Sequence, residues 1–435
     1  MTERRVAVTG IGIVSPIGIG AAQFWRSVVE GRSGIRPIRG FDAAAFPTRI
    51  AGEVEDELVD PLPFLKSRKA TKTMSRNAVF AVVAAGQAAR QAGLPLPGSD
   101  PTRVGVVMGS EVKQWGFNEI VEFEVASRQG GTGTSEARWQ RFSRLAGDRM
   151  NPFNFLKNMP NMDAAHISIA FEARGPGSTV TSGCTAGLQA VGEAFEIIRR
   201  GEADAVFAGA TNAFATPMEI VHLSLQGWLT HRNDDPGGAV RPFDVTRDGF
   251  APGEGAAILL LEDLATVRRR GIRVLAEIRA VVARSGGPWL PADAADTCEP
   301  DDSLATALAL AGLAPRDLSM VHAFGTATLA HDRWECASLR RALTGAAERV
   351  PVTSIRPLVG VCGAASGAFD LAATVLAVVH GAVPPIATLC TPDPDCPMAY
   401  VRGGPVAGPL PRAATHVVGL DGQSAAAVVV AVPAE

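Results

Sequence analysis

Short β-branched runs alternate with helix-forming stretches along the whole 435-residue chain, and no other feature limits its fold so sharply. RRVAVTGIG reads as a strand, and FWRSVVEG follows as a helix that Gly31 stops. TMSRNAVFAVVAAGQAARQAG has the Ala-rich pattern of a long helix ending at Gly93, and RVGVVMGS is again a strand. Further on, AAILLLED and LAEIRAVVAR read as strands, DSLATALALAG as a helix and SMVHAFGT as a strand. HVVGLDG and SAAAVVVAV close the chain as a hairpin. This rhythm predicts an α/β architecture with a buried mixed sheet in each half. Single cores stop growing near roughly 250–300 residues, so two units are expected. The composition shifts near Arg268–Gly271, which divides the chain into 1–270 and 271–435.

Composition removes several classes of function. Lys plus Arg number 41 against 44 Asp plus Glu, and the longest block of like charge is the arginine triplet at 268–270. That is no footprint for nucleic acid. The 6 cysteines lack metal or C-x-x-C spacing, so neither a metal site nor a disulfide-stapled domain is expected. MTERRVAVTG has no apolar leader. The apolar stretch Leu371–Leu389 contains His380, Gly381 and the pair Pro384-Pro385, so a buried helix followed by a strand is predicted instead of a membrane span. A soluble, cytoplasmic protein is the expectation. The glycines of TGIGIVSPIG suggest dinucleotide binding, but position 15 is Ser and Pro16 stands where the helix should begin. The segment from Val104 to about Gly175 reads as an insertion capping one end of the sheet.

The most informative stretch is STVTSGCTAGLQAVGEAFEIIRRG. Residues 178–182 form a β-branched run, and apolar positions 188, 191, 195 and 198 then recur at helical spacing. Cys184 therefore falls at a strand-to-helix turn. A thiol at a helix N-terminus is expected to have a lowered pKa, and the backbone N–H groups there point at a bound carbonyl oxygen. Spacing alone leaves open a small buried cysteine of no chemical consequence.

RGPGSTVTSGCTAGLQAVGEAFEIIRRGEADAVFAGATNA resembles the active-site region of the β-ketoacyl-ACP synthases, or ketosynthases. RRVAVTGIGIVSPIG is similar to their first strand and loop, and RPFDVTRDGFAPGEGAAILLLED to an interior block. FGTATLAHDRWE and TSIRPLVGVCGAASGAFD fall where their two histidine motifs belong. The resemblance spans nearly the whole chain. It implies a thiolase-like layered αβαβα fold built from two similar halves, a homodimer, and an acyl carrier protein as partner. Cys184 then corresponds to the acyl-accepting cysteine, with no cofactor beyond the carrier's phosphopantetheine.

The departures from the family pattern are as informative. Phe324 and Val361 stand where the family has its two catalytic histidines, and Arg356 where it has a lysine. Neither Phe nor Val donates a hydrogen bond to a malonyl thioester oxygen. Glu335 matches the acid that pairs with the motif lysine, so an ion pair with Arg356 is expected. Thr326 and Thr328 match the pantetheine-binding threonines. The gating loop has become Gly419-Leu420-Asp421-Gly422, and the Leu420 backbone N–H matches the family's second oxyanion donor. Glu111, Val112 and Ser285 fall where the family lines its acyl pocket. For the missing base, His322 is a candidate on the face of Phe324, and His331 is read as solvated. The expected function is capture of an acyl group on Cys184 and its release without decarboxylation, by aldol and lactone closure. Standalone enzymes that close γ-lactam-β-lactones resemble this pattern. Acyl transfer between carriers, or a partner subunit like the chain-length factors, is the alternative.

Overall fold

The computed structural model describes residues 4–94, 100–111, 117–128, 134–286 and 299–432. Where a separate sheet in each half was expected, one continuous 11-stranded sheet forms: ten strands make two copies of the same five-strand array, and the short strand Gly18–Ile19 pairs off that path. The first array contains β1 (Val6–Ser15), β2 (Val104–Gly109), β3 (Gly177–Val180), β4 (Ala205–Ala213) and β5 (Glu254–Asp263). The second contains β6 (Ala276–Ser285), β7 (Met320–His322), β8 (Val352–Thr353), β9 (Arg412–Val418) and β10 (Gln423–Val430). In space the first runs β3-β2-β4-β5-β1 and the second β8-β7-β9-β10-β6. The directions match too: β2 is parallel to β3 and β4, and β5 is antiparallel to β4 and β1. Correspondingly, β7 is parallel to β8 and β9, and β10 is antiparallel to β9 and β6. The copies meet where β1 and β6 pair antiparallel at Val6–Ile278, Ala7–Glu277 and Val8–Ala276. A thiolase-like fold with layered helices and sheets is the result.

Five helices complete the layers. α1 (Arg76–Ala92) covers β1 and β5 from outside, and α3 (Ser303–Ala311) covers β6 and β10. α2 (Ala186–Arg199) and α5 (Ser366–His380) lie between the arrays, while α4 (Leu329–Ala342) follows β7. Because helices cover both faces of β1 and β5, every residue of these strands is buried, and they read as continuous apolar runs. α1 seats closely on β1 because Gly10 and Gly12 lack side chains; a Cβ at either would overlap the carbonyl of Ala88 or Ala84. α5 is mostly apolar, and all of it but its last two residues is enclosed by protein. The expected strand at SMVHAFGT is shorter than its apolar run. It ends at His322 because the chain turns away through positive φ at Gly325 and Ala327. Phe324 therefore does not alternate with His322 on a strand. Residues 117–128 and 135–149 of the insertion are helical and pack on each other.

Candidate active site

Two similar turns meet at the centre of the molecule. After β3, Gly183 takes φ 53°, and Gly183–Thr185 make one tight helical turn before α2 begins. Before α5, Gly363 takes φ 48° and Gly363–Ala365 make the same turn. Left-handed φ favours glycine at both places. α2 and α5 pack reciprocally through their own glycines. A Cβ at Gly187 would lie 2.9 Å from the Ala364 carbonyl oxygen, and one at Gly367 would lie 3.2 Å from that of Cys184. Ala364 is thus the counterpart of Cys184.

Cys184 is 3% exposed and shares one apolar cluster with Phe324, Val361, Cys362 and Leu420. Its thiol pKa is pushed well up, first by burial, then by the Glu111 and Asp421 carboxylates, against an opposing pull from Arg356. The expected lowering by the helix dipole is overturned. Two negative neighbours in a dry site outweigh the N-terminal half-charge of α2. Cys184 therefore rests as a neutral thiol.

The turn joining β9 to β10 closes over the elbow and carries Leu420. A Cβ on Gly183 would sit 3.3 Å from Asp421 Oδ2, and Gln423 Nε2 donates to that same oxygen at 3.2 Å. Gln189 Nε2 donates to Thr185 Oγ1 at 2.8 Å and Gln423 Oε1 at 3.1 Å, tying the elbow to β10. The Leu420 side chain is 8% exposed.

Phe324 and Val361 are fully buried. Val361 is held by backbone bonds, donating to Ala251 O at 3.0 Å and accepting from Gly253 N at 2.8 Å. The expected Glu335–Arg356 ion pair is not what forms. The Arg356 guanidinium pairs with Asp370 of α5, donates to Gly360 O at 2.9 Å and lies over the Phe324 ring. Both Glu335 oxygens are already engaged, by the N–H groups of Phe324 at 2.8 Å and Gly325 at 2.7 Å. Its cationic partner is His416 Nδ1 at 3.0 Å.

That contact gives a pH prediction. His416 lies between Glu335 and Asp301, with Nε2 3.0 Å from Asp301 Oδ2, and these carboxylates lift its pKa from 6.5 to about 9 despite complete burial. A raised folded-state pKa stabilises fully below about 6.5 and is lost as pH rises through about 9. The contribution is on the order of 3 kcal/mol. Urea unfolding at pH 6.5 and 9.5 should show this loss in the parent chain. His416→Gln, though less stable, should lack this part of the pH dependence; equal slopes in both proteins would contradict the ion-pair arrangement.

The remaining predicted residues fall as follows. Thr326 and Thr328 are buried, their hydroxyls 3.0 Å apart, with Thr326 donating to Asp332 Oδ1 and Thr328 capping α4. His331 is buried, not solvated: Nδ1 meets Thr328 Oγ1 at 2.8 Å, the ring abuts Trp228 edge-on, and burial lowers its pKa to about 4. His322 is fully buried, and burial with Arg356 nearby lowers its pKa to about 3, which leaves a poor base. Ser285 is exposed at the end of β6, opposite Gln423. Val112 and residues 287–298, which follow Ser285, lie outside the described residues. Glu111 lies beside the second turn, accepting 2.6 Å from Asn212 Nδ2. Sequence reasoning missed Asn212, Asp370, His416 and the reach of Asp421; only Asp421 had a visible signal, an acid in a glycine gate.

A duplicated array whose two middle helices start beside one buried cysteine defines a thiolase-like ketosynthase architecture. The comparisons with known proteins agree. Residues 3–266 match the β-ketoacyl synthase N-terminal domain and residues 275–389 its C-terminal domain. The tetracenomycin polyketide synthase ketoacyl synthase alpha subunit of Streptomyces glaucescens is 37% identical over 92% of this chain and 90% of its own length. The ishigamide ketosynthase/chain length factor superposes with a TM-score of 0.84 at 28% identity, covering 99% of this chain and 100% of the other. The ketosynthase complex AntDE:AntF, a type II polyketide acyl carrier protein with its hexaketide-bound ketosynthase, gives 0.83 at 26% identity with the same coverage. The chain belongs to the β-ketoacyl synthase family.

Proposed function

We propose that this chain serves polyketide or hybrid peptide–polyketide assembly by accepting an acyl group from a carrier protein onto Cys184 and releasing it by intramolecular aldol and lactone closure. One observation carries the reading: the cysteine elbow is intact while Phe324 and Val361 fill the histidine positions with buried hydrocarbon. Covalent capture retains a use, yet a malonyl-derived nucleophile has no donor to stabilise it. The nucleophile must arrive within the substrate. Holding both reacting groups in one chain offsets weak base catalysis, since effective molarities reach roughly 10⁵–10⁸ M.

In this reading the Cys184 and Leu420 backbone N–H groups receive the thioester oxygen, and Thr326 and Thr328 contact the pantetheine arm once their loop admits it. The closing step needs a carbon flanked by two carbonyls, which adds to an internal aldehyde or ketone. The new alkoxide then attacks the Cys184 thioester and leaves as a lactone. The test is a β-keto amide thioester carrying such a carbonyl. Mass spectrometry should show loss of the carrier thiol without gain of water. Free acid, or an acyl group moved to a second carrier, puts hydrolase or transferase in its place. No acylation at all favours a partner subunit, like the chain length factor of the solved relative.

The proposed assembly is a homodimer. β3 ends the first array and is partly exposed, an unpaired edge that a two-fold copy covers. Light scattering at micromolar concentration should give twice the single-chain mass; a monodisperse monomer contradicts the interface.

A further inference from the structure

Glu111 lies just beyond β2, where the chain leaves the sheet beside both central turns. The residue keeps some solvent contact, but its carboxylate is enclosed. Asn212 of β4 donates to Oε2 at 2.6 Å, and the Ala364 backbone N–H at the start of α5 donates as well. Gly363 leaves the space this arrangement occupies: a Cβ there would be 2.1 Å from Asn212 Nδ2 and 2.9 Å from Glu111 Oε2. The groups facing this carboxylate are Asn212, the Ala364 N–H, Glu219 of the 217–225 helix, Asp421 of the β9–β10 turn and the Cys184 thiol. None is a cation. Burial is the main cause that raises the acid to about 7; Glu219 and Asp421 add to it, and the two hydrogen bonds oppose it. Neither His322 nor His331 retains basicity in this range.

We propose that Glu111, oriented by Asn212 and the Ala364 N–H, is the base that starts release of the acyl group from Cys184. The inference rests on the cyclisation reading above. The Glu111 carboxylate removes the proton from the carbon between two carbonyls of the Cys184-bound chain. That electron pair attacks the internal aldehyde or ketone carbon, whose oxygen becomes an alkoxide. The alkoxide attacks the thioester carbonyl, the C–S bond breaks, and the Cys184 thiolate takes the proton back from Glu111. Atoms and charge balance with no other reactant. The order of events is also favoured electrostatically. Acylation keeps Cys184 uncharged, so no thiolate opposes the ionised Glu111 until the C–S bond breaks.

The experiment separates the base from the ring closure. Cys184 is loaded with a β-keto amide acyl group that lacks the internal carbonyl, and deuterium uptake at the activated carbon is followed by intact mass in deuterated water. The parent chain should exchange, Glu111→Gln should still take up the acyl group, its thiol relieved of one neighbouring carboxylate, but exchange about 10²-fold to 10⁴-fold more slowly, and Glu111→Asp should recover part of the rate. The parent exchange rate should rise with pH through about 7, and that limb should vanish in Glu111→Gln. Equal exchange in both proteins, or none in the parent, overturns the proposal. So does a Glu111→Gln variant with parent-like melting that cannot be acylated, since a base for release is not needed to load the thiol. If Glu111 controls exchange yet the complete substrate yields only free acid, the cyclisation reading fails and the base remains.

Discussion

Cys184→Ala is expected to show no covalent mass gain with any carrier-linked acyl donor that adds one acyl group to the parent chain. The loss is all-or-none because thioester exchange needs a sulfur nucleophile, and the described alternatives are badly placed. Cys362 is buried, its thiol pushed up to about 12 and directed at the Val359 carbonyl. Cys336 is buried within α4, Cys396 is buried against it, and Cys390 is exposed. Among the described cysteines, only Cys184 lies within the turn that starts a long helix, where N–H groups receive a developing oxyanion. The removed side chain is small, so the variant should melt near the parent temperature. Intact-mass analysis decides the matter, and acylation that persists in Cys184→Ala refutes the assignment.

Malonyl-carrier protein should release carbon dioxide at least about 10⁴-fold more slowly here than with a relative that keeps both histidines. Removing one donor to a developing oxyanion typically costs about 10²–10³ in rate, and two are absent. The structure supplies no substitute at those positions. Phe324 has its ring against the Arg356 guanidinium, which is itself committed to Asp370 and Gly360. Val361 is packed with no exposed surface. Radiolabelled carbon dioxide release at the rate of an elongating enzyme would defeat the prediction. Restoring histidines does not reverse the test simply, because imidazole at 361 must displace packed neighbours.

Much of the fold was legible because it depends on local pattern. The runs at 104–109, 254–263 and 276–285 are strands as their β-branched and apolar character demands, and Gly93 and Gly312 stop their helices with positive φ. Strand length was less legible. SMVHAFGT is apolar throughout, but its end is set by the turn at Gly325 and Ala327, a tertiary matter. At the site, the elbow around Cys184 could be read from spacing, because a strand, a glycine and a helix are all local. The ion pairs could not. Arg356 is closer in sequence to Glu335 than Asp301 is to His416, yet Arg356 meets Asp370 and His416 bridges Asp301 and Glu335. Which carboxylate an arginine reaches depends on which oxygens the backbone has already taken. The thiol's pKa went the same way: the helix dipole was visible in the sequence, whereas the enclosing carboxylates come from residues 111 and 421.

The internal two-fold has a consequence for how such a site changes over evolutionary time. Duplication left the molecule with two elbows, but only the one at Cys184 carries a nucleophile; its twin presents Ala364. The spare elbow is free of the demand to react, so its amide is available to anchor Glu111. A fold of this kind separates inheritance from innovation. One copy preserves the covalent handle, while drift in the other re-tunes the medium around it. New chemistry is therefore expected to arise by substitutions clustered about the silent elbow, with the reacting cysteine left as it was.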